Sequence, residues 1–303
     1  MNMTFGCVPV LLGAAFAGPA LAAPQTFDSP EAAVAALVSA LEAKDEPRVL
    51  AIFGPESEDV LSTGDEAEDR AVWGGFLNDL QTRSRLDVED EGRATLYLGR
   101  GLWPFPAPLV AKDGQWAFDA EAARDEMLMR RIGRNELAVI DILRRAGAIQ
   151  AEYRKTDHDG DGVAEFAASI LSSPGERDGL YWPDEPGTEP SPFDETAARA
   201  SLTGFHRDAE DRGAEPFDGY YFRILQGQGE HAPGGAYSYM VNGNMVAGHA
   251  LLAVPAAYGD TGIMSFMVGE GGVVYQSDLG EETLDRAMGI ELFDPGEGWE
   301  VVR

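Results

Sequence analysis

The chain of 303 residues has a single cysteine, Cys7. That residue lies in a leading segment expected to be removed, so disulfides, thiolate metal sites and cysteine nucleophiles are excluded from the remainder. Basic residues are scarce: 23 Lys and Arg stand against 52 Asp and Glu, a formal charge of -29. Such a surface repels phosphate backbones and anionic lipid heads, which argues against nucleic-acid and membrane-surface binding. Also missing are a Gly-x-Ser-x-Gly elbow, a phosphate loop and a Rossmann fingerprint. No two of the histidines His158, His206, His231 and His249 stand at i and i+4, so a zinc site would have to be assembled from distant segments. With 52 carboxylates, pairs arise by chance, and Asp/Glu proximity along the chain is no argument for a glycosidase. No catalytic residue is assigned, and a non-enzymatic role is the first reading.

What is present begins with an uncharged stretch, Met1 to Ala23. Val8 to Ala22 is apolar or small and ends Ala20-Leu21-Ala22, the small-residue pattern a signal peptidase accepts. Residues 1–22 therefore read as a cleavable signal, and the product is expected in the periplasm or secreted. The run falls short of the ~20 residues that span a bilayer, and nothing downstream is long or apolar enough to be a span.

The remainder reads as α+β in two parts, residues 25–125 and 126–303. Ser29 is placed to cap a helix with Pro30 in its first turn, and Ala33, Val34, Leu37, Val38 and Leu41 recur on one face. Short helices are expected around Arg48 to Phe53 and Asp69 to Gln81, the latter with Val72, Phe76 and Leu80 on its apolar face. Ala94 to Leu98, Pro108 to Lys112 and Gln115 to Asp119 read as strands, the last two joined by the turn dipeptide Asp113-Gly114. From Ala120 a long helical period runs through Met127, Ile132, Leu137, Ile140, Leu143 and Ile149 to Tyr153, with Gly133 expected to mark a bend or a junction of two helices. Residues 173–192 hold five prolines and read as a surface loop or linker. Beyond them, Tyr220 to Gln226, Met245 to Pro255, Ile263 to Gly269 and Val273 to Gln276 read as strands of an antiparallel sheet on the long helix. A closing helix is expected from Glu281.

Helices followed by a curved sheet, opening "SPEAAVAALVSALEAKDEPRVLAIF", resemble a nuclear-transport-factor-2-like or cystatin-like cone. The blocks "WPFPAPLVAKDGQWAFDAEAARDEMLMRRIGRNELAVIDILR", "YRKTDHDGDGVAEFA" and "VPAAYGDTGIMSFMVGEGGVVYQSDLG" resemble domain-of-unknown-function family 2950, exported bacterial proteins, from about Phe27 onward. That resemblance implies no catalytic residue. "GRNELAVIDILRRAGAIQAEY" followed by "GYYFRIL" is similar to the globular headpiece of type IV pilin-like proteins. The apolar pilin stem is absent, so the resemblance implies a headpiece reused outside a filament.

The strongest local motif is Asp157-His158-Asp159-Gly160-Asp161-Gly162. Oxygens at the first, third and fifth positions and glycine at the sixth match the opening of a calcium loop, continued by the Val163 carbonyl and Glu165. Ala168 stands where a bidentate glutamate would close the site. Asp157, Asp159, Asp161, Val163 and Glu165 are thus candidate calcium ligands, with a polar turn ending the long helix as the alternative. Trp103-Pro104-Phe105-Pro106 reads first as an edge or crossing loop whose rings pack into the core, and second as a partner surface with Tyr181-Trp182 and Tyr237-Ser238-Tyr239.

The expected function is a non-catalytic periplasmic binding or assembly module for an envelope protein or glycan partner. An envelope-polymer hydrolase using Asp or Glu in an interdomain cleft, and a calcium-stabilised envelope structural protein, are the alternatives.

Overall fold

The structure, a computed structural model, describes residues 23–62, 65–89, 92–183, 190–193, 198–201 and 215–303. The expected export segment lies outside them. The chain is mixed α+β and divides into two compact units, the first ending at Met127 and the second beginning at Leu128.

The first unit opens with α1 (Pro30–Ala43), started as its sequence dictates: Ser29 is extended and its hydroxyl accepts from the Ala32 amide at 3.1 Å, satisfying one of the free amides of the first turn. Lys44, in a left-handed conformation, ends it. Then come α2 (Glu46–Phe53), a 3-10 turn (Pro55–Ser57), α3 (Glu58–Leu61) and α4 (Glu66–Thr82). The strands β1 (Ser84–Glu89), β2 (Arg93–Leu98), β3 (Trp103–Pro104), β4 (Leu109–Lys112) and β5 (Gln115–Phe118) form one antiparallel sheet in the order β1-β2-β4-β5, with β3 paired to β2. Asp113 and Gly114 both have positive φ, 52° and 78°, the geometry a two-residue hairpin turn between β4 and β5 requires. Phe27 adds a bridge to Trp116, their amides and carbonyls exchanging hydrogen bonds of 2.8 and 2.7 Å. Ala33, Leu37, Ala40 and Leu41 of α1 join Ile52, Phe53, Leu109 and Phe118 in one buried cluster. Through it runs a file of aromatic contacts, Phe76–Phe105 at 5.1 Å, Phe105–Phe118 at 6.3 Å and Phe118–Phe53 at 4.8 Å.

The helix α5 (Ala120–Tyr153) runs 34 residues across the division. Gly133 does not split it into two helices, one of the two outcomes expected from the sequence. A glycine costs only about 1 kcal/mol in a helix interior, and the burial of Ile132, Val139, Ile140, Ile142 and Leu143 outweighs that. The apolar face also differs from the expected one, since Leu137 is 69% exposed whereas Val139 and Ile142 are buried.

In the second unit β6 (Ser169–Leu171) pairs in parallel with β7 (Gly179–Tyr181). The stretch 173–192, expected to be loop throughout, therefore contains a strand, and Leu180 and Trp182 are buried in the core. Two bulky apolar side chains supply enough burial to hold a short element despite the prolines around it. Next are β8 (Tyr220–Leu225), the short β9 (Gly227–Gln228), β10 (Tyr237–Ser238), β11 (Met240–Val241) and β12 (Asn244–Met245), then β13 (Ala250–Pro255), β14 (Met264–Gly269), β15 (Val274–Asp278), α6 (Thr283–Met288) and β16 (Glu300–Val301). An antiparallel five-stranded sheet has the order β16-β15-β14-β13-β8. Every residue of β13 is buried, as befits a strand covered on both faces. Val139, Ile142, Leu143 and Ala146 of α5 share its core with Phe222, Leu252 and Phe266.

The turn between β13 and β14 is clasped to α5. One Glu136 oxygen accepts from the amides of Ile263 and Met264, each at 3.0 Å, and Asn135 donates to the Thr261 carbonyl at 2.8 Å. Arg131 pairs with Asp260. Gly262 lies so close over Tyr220 that an added Cβ would fall 2.1 Å from its hydroxyl oxygen, and that hydroxyl is fixed by donating to the Met264 carbonyl at 2.8 Å.

Candidate functional site

The segment after α5 turns sharply at the aspartate run. Gly160 and Gly162, with φ of 76° and 90°, adopt backbone that side-chain-bearing residues rarely take. Their amides donate to the two Asp157 oxygens at 2.8 and 2.9 Å, the Asp161 amide to Asp159 at 3.2 Å, and the Val163 amide to Asp161 at 2.7 Å. Asp157, Asp159 and Asp161 each bring a carboxylate oxygen within 4.8 Å of the others, and all three are exposed. The Gly162 amide above all, with that of Gly160, holds the Asp157 carboxyl below the usual range. Behind the turn, His158 stacks on Tyr153 at 4.2 Å and contacts Trp182 at 5.2 Å.

Glu165 stands apart from this trio. Its carboxylate accepts from the Met245 amide at 2.7 Å, and the Phe166 amide in turn donates to the Met245 carbonyl at 2.8 Å. Burial raises the Glu165 carboxyl, the three loop aspartates raise it further, and the Met245 amide opposes them. Val163 is exposed. The Ala168 carbonyl accepts from Gln226 at 3.2 Å, and its methyl side chain has no ligand atom to offer. The turn thus brings together three of the sequence candidates, while Glu165 ties the loop to β12 instead. Three hard oxygens at this spacing suit a calcium ion completed by backbone carbonyls and water.

A different site lies in the first unit. α1, α2, α3, α4 and the crossing segment after β3 leave an open apolar cleft of about 150 Å³, with Leu37, Phe53, Trp73, Phe76 and Phe105 in its wall. Val72, 60% exposed, and the exposed Met127 also line it. The sequence reading placed Val72 on the inward face of α4. Phe76 and Leu80 of the expected face are partly buried, and Trp73 and Leu77 take the place of Val72. Every side chain of the cleft is apolar apart from the indole N–H of Trp73.

The aromatic expectations divide. In the 103–106 segment, expected to pack, Phe105 does so but Trp103 is 74% exposed. Trp103 folds back over Gly101, where an added Cβ would meet its indole nitrogen at 2.6 Å. Trp182 and Tyr239, offered as surface rings, are buried, leaving Tyr237 exposed beside Tyr239 at 5.6 Å. His231 pairs with Asp294 at 3.1 Å, which raises its pKa. His206 lies outside the described residues. No helix among the described residues is long and apolar enough to cross a membrane.

Set beside known proteins, residues 24–302 match the family described as Protein of unknown function (DUF2950). No curated protein and no solved structure matches the chain.

Proposed function

We propose, for a chain that belongs to the DUF2950 family over residues 24–302, a non-catalytic binding or assembly module of the periplasm or the extracellular space. Its N-terminal unit receives an apolar segment of an envelope protein partner. The open apolar cleft bounded by Trp73, Phe76 and Phe105, with Val72 and Met127 exposed at it, is the observation that carries this reading. Apolar surface left accessible in an otherwise acidic molecule is unfavourable in water and is relieved by a covering partner. The order of helices and sheet supports a nuclear-transport-factor-2-like cone for this unit, and α5 lying on an antiparallel sheet supports a pilin-like headpiece for the second.

A photocrosslinking residue placed at Val72 in intact cells should give one discrete adduct. The same residue at Val88, exposed but outside the cleft, should give none. Only uncrosslinked chain from Val72, or equal adducts from both positions, would remove the proposal. Against a hydrolase stands the carboxylate chemistry: of the described carboxylates with a resolved shift, Asp59, Asp157 and Asp294 are lowered and only Glu165 is raised, and it is engaged with a backbone amide.

Calcium stabilisation is a second reading, favoured by the convergence of Asp157, Asp159 and Asp161. Calcium at millimolar concentration should raise the melting temperature of the protein, and Asp159→Asn should abolish the rise. An identical melting curve with calcium and with chelator sinks this reading.

A further inference from the structure

The second unit holds a polar cleft of about 480 Å³ that neither reading uses. Arg154 and Lys155, just past the end of α5, line it together with Phe166, His249 and Glu270. Two small residues of α5, Gly147 and Ala151, keep it open. A Cβ on Gly147 would meet nothing within 4 Å, so core packing does not demand a glycine there.

His249 is 4% exposed, and its imidazole makes no hydrogen bond to any described residue. Its one close ring partner among the described residues is Phe166, edge-on at 4.8 Å. The protein leaves the ring nitrogens unpaired, yet among the described residues the fully buried unpaired side-chain atom is Ser265 Oγ and not these nitrogens, so they are reached from outside the core. On its other side is a crevice of about 10 Å³ walled by Ile142, Ala146 and Leu251. The one polar side chain there, Gln150, is spent on the Ala167 backbone, donating at 3.0 Å and accepting at 2.9 Å. The polar cleft is therefore the side from which a partner can reach His249.

Two of the charges lining the cleft, Arg154 and Glu270, are also without an ion pair among the described residues. The Arg154 guanidinium lies over the Phe166 ring at 4.5 Å and has no ion pair among the described residues, in a chain with more than twice as many acids as bases. Lys155 is already paired, with Glu152 at 2.6 Å. Glu270 likewise has no ion pair among the described residues. Its carboxylate sits over Gly248, where a Cβ would approach it to 3.4 Å, next along the chain to His249.

We infer that this cleft binds a small zwitterion, an amino acid or the backbone of a short peptide, with its carboxylate on Arg154 and the His249 N–H and its ammonium on Glu270. The planar fork of Arg154 suits a carboxylate. A simple anion would meet repulsion from Glu270, and a simple cation repulsion from Arg154 and Lys155. Phe166 offers an apolar wall to the aliphatic part. Burial keeps the His249 ring neutral at physiological pH, so it can donate from one nitrogen and accept at the other. This site is independent of the apolar cleft and the aspartate turn.

The test is a titration of the full chain, carrying 13C-labelled histidine, with the dipeptide alanyl-alanine, its N-acetyl form, its C-terminal amide, and acetate. The His249 resonance is identified by its loss in His249→Gln. Alanyl-alanine should shift it saturably at millimolar concentration, and each blocked form should bind about tenfold more weakly, one lost charge contact apiece. Glu270→Gln should remove the penalty for N-acetylation, and Arg154→Gln the penalty for amidation. Both residues are exposed, so neither change should lower the melting temperature. No shift with any probe at tens of millimolar, equal binding of all four, or acetate matching the dipeptide would each overturn the inference.

Discussion

At the scale of single residues, burial sets chemistry. Burial pulls the His249 imidazole from 6.5 down to about 4. Between those values the unfolded chain binds the proton that the folded chain refuses. Stability therefore rises with pH across this window and is lost as pH falls through it, by at most on the order of 3 kcal/mol. The charged groups lining the cleft it faces are Arg154, Lys155 and Glu270, the first two opposing protonation and the third favouring it. His249→Phe should flatten the melting-temperature profile between neutral pH and about 5, where few carboxylates titrate. Parallel profiles for the two proteins would show that the ring is not protected in this way. Residue-scale signals were also what the sequence displayed most openly. The aspartate turn was legible because its oxygens and glycines are contiguous, so backbone geometry alone brings them together. The clefts were not, because Trp73 and Phe105, or Arg154 and Glu270, meet only after distant segments fold.

At the scale of elements, termini were easier to read than interiors. Ser29 and Pro30 announce α1, and Asp113-Gly114 announces the β4–β5 hairpin, because a cap or a positive φ restricts the residue locally. The strand β1 left no such mark. Its side chains Arg85, Asp87 and Glu89 are exposed, and only Leu86 is partly buried, so no alternation of apolar residues betrays it. The long helix was legible in extent but not in continuity. Gly133 is helical and faces open space, so Gly133→Ala should fill no occupied volume. It should stabilise the protein by about 1 kcal/mol, read as a higher denaturant midpoint with an unchanged slope. A loss of stability would mean that the glycine is required by the local backbone of the helix.

At the scale of the whole molecule, stability is divided between two buried clusters, one in each unit, with no cysteine among the described residues to reinforce either. The charge of -29 keeps copies apart at low ionic strength and does so less as salt screens it. What guards against self-association at high salt is then geometry, and β16 supplies it at one border of the second unit's sheet. β16 is two residues long, Glu300 and Val301, pairing with Gln276 and Tyr275 of β15, and Val302 adds one bond to the Val274 carbonyl at 2.9 Å. So brief a border strand offers a neighbouring copy almost no ladder to extend. Removing residues 299–303 would bare β15, a longer strand bearing Val274 and Tyr275, and turn this blunted border of the sheet into a template. The shortened protein should scatter light and bind thioflavin T at high ionic strength while the intact chain stays clear. If it stays equally clear, the charge alone is sufficient. On this expectation the pairing of Glu300 to Val302 with β15 is a seal against polymerisation.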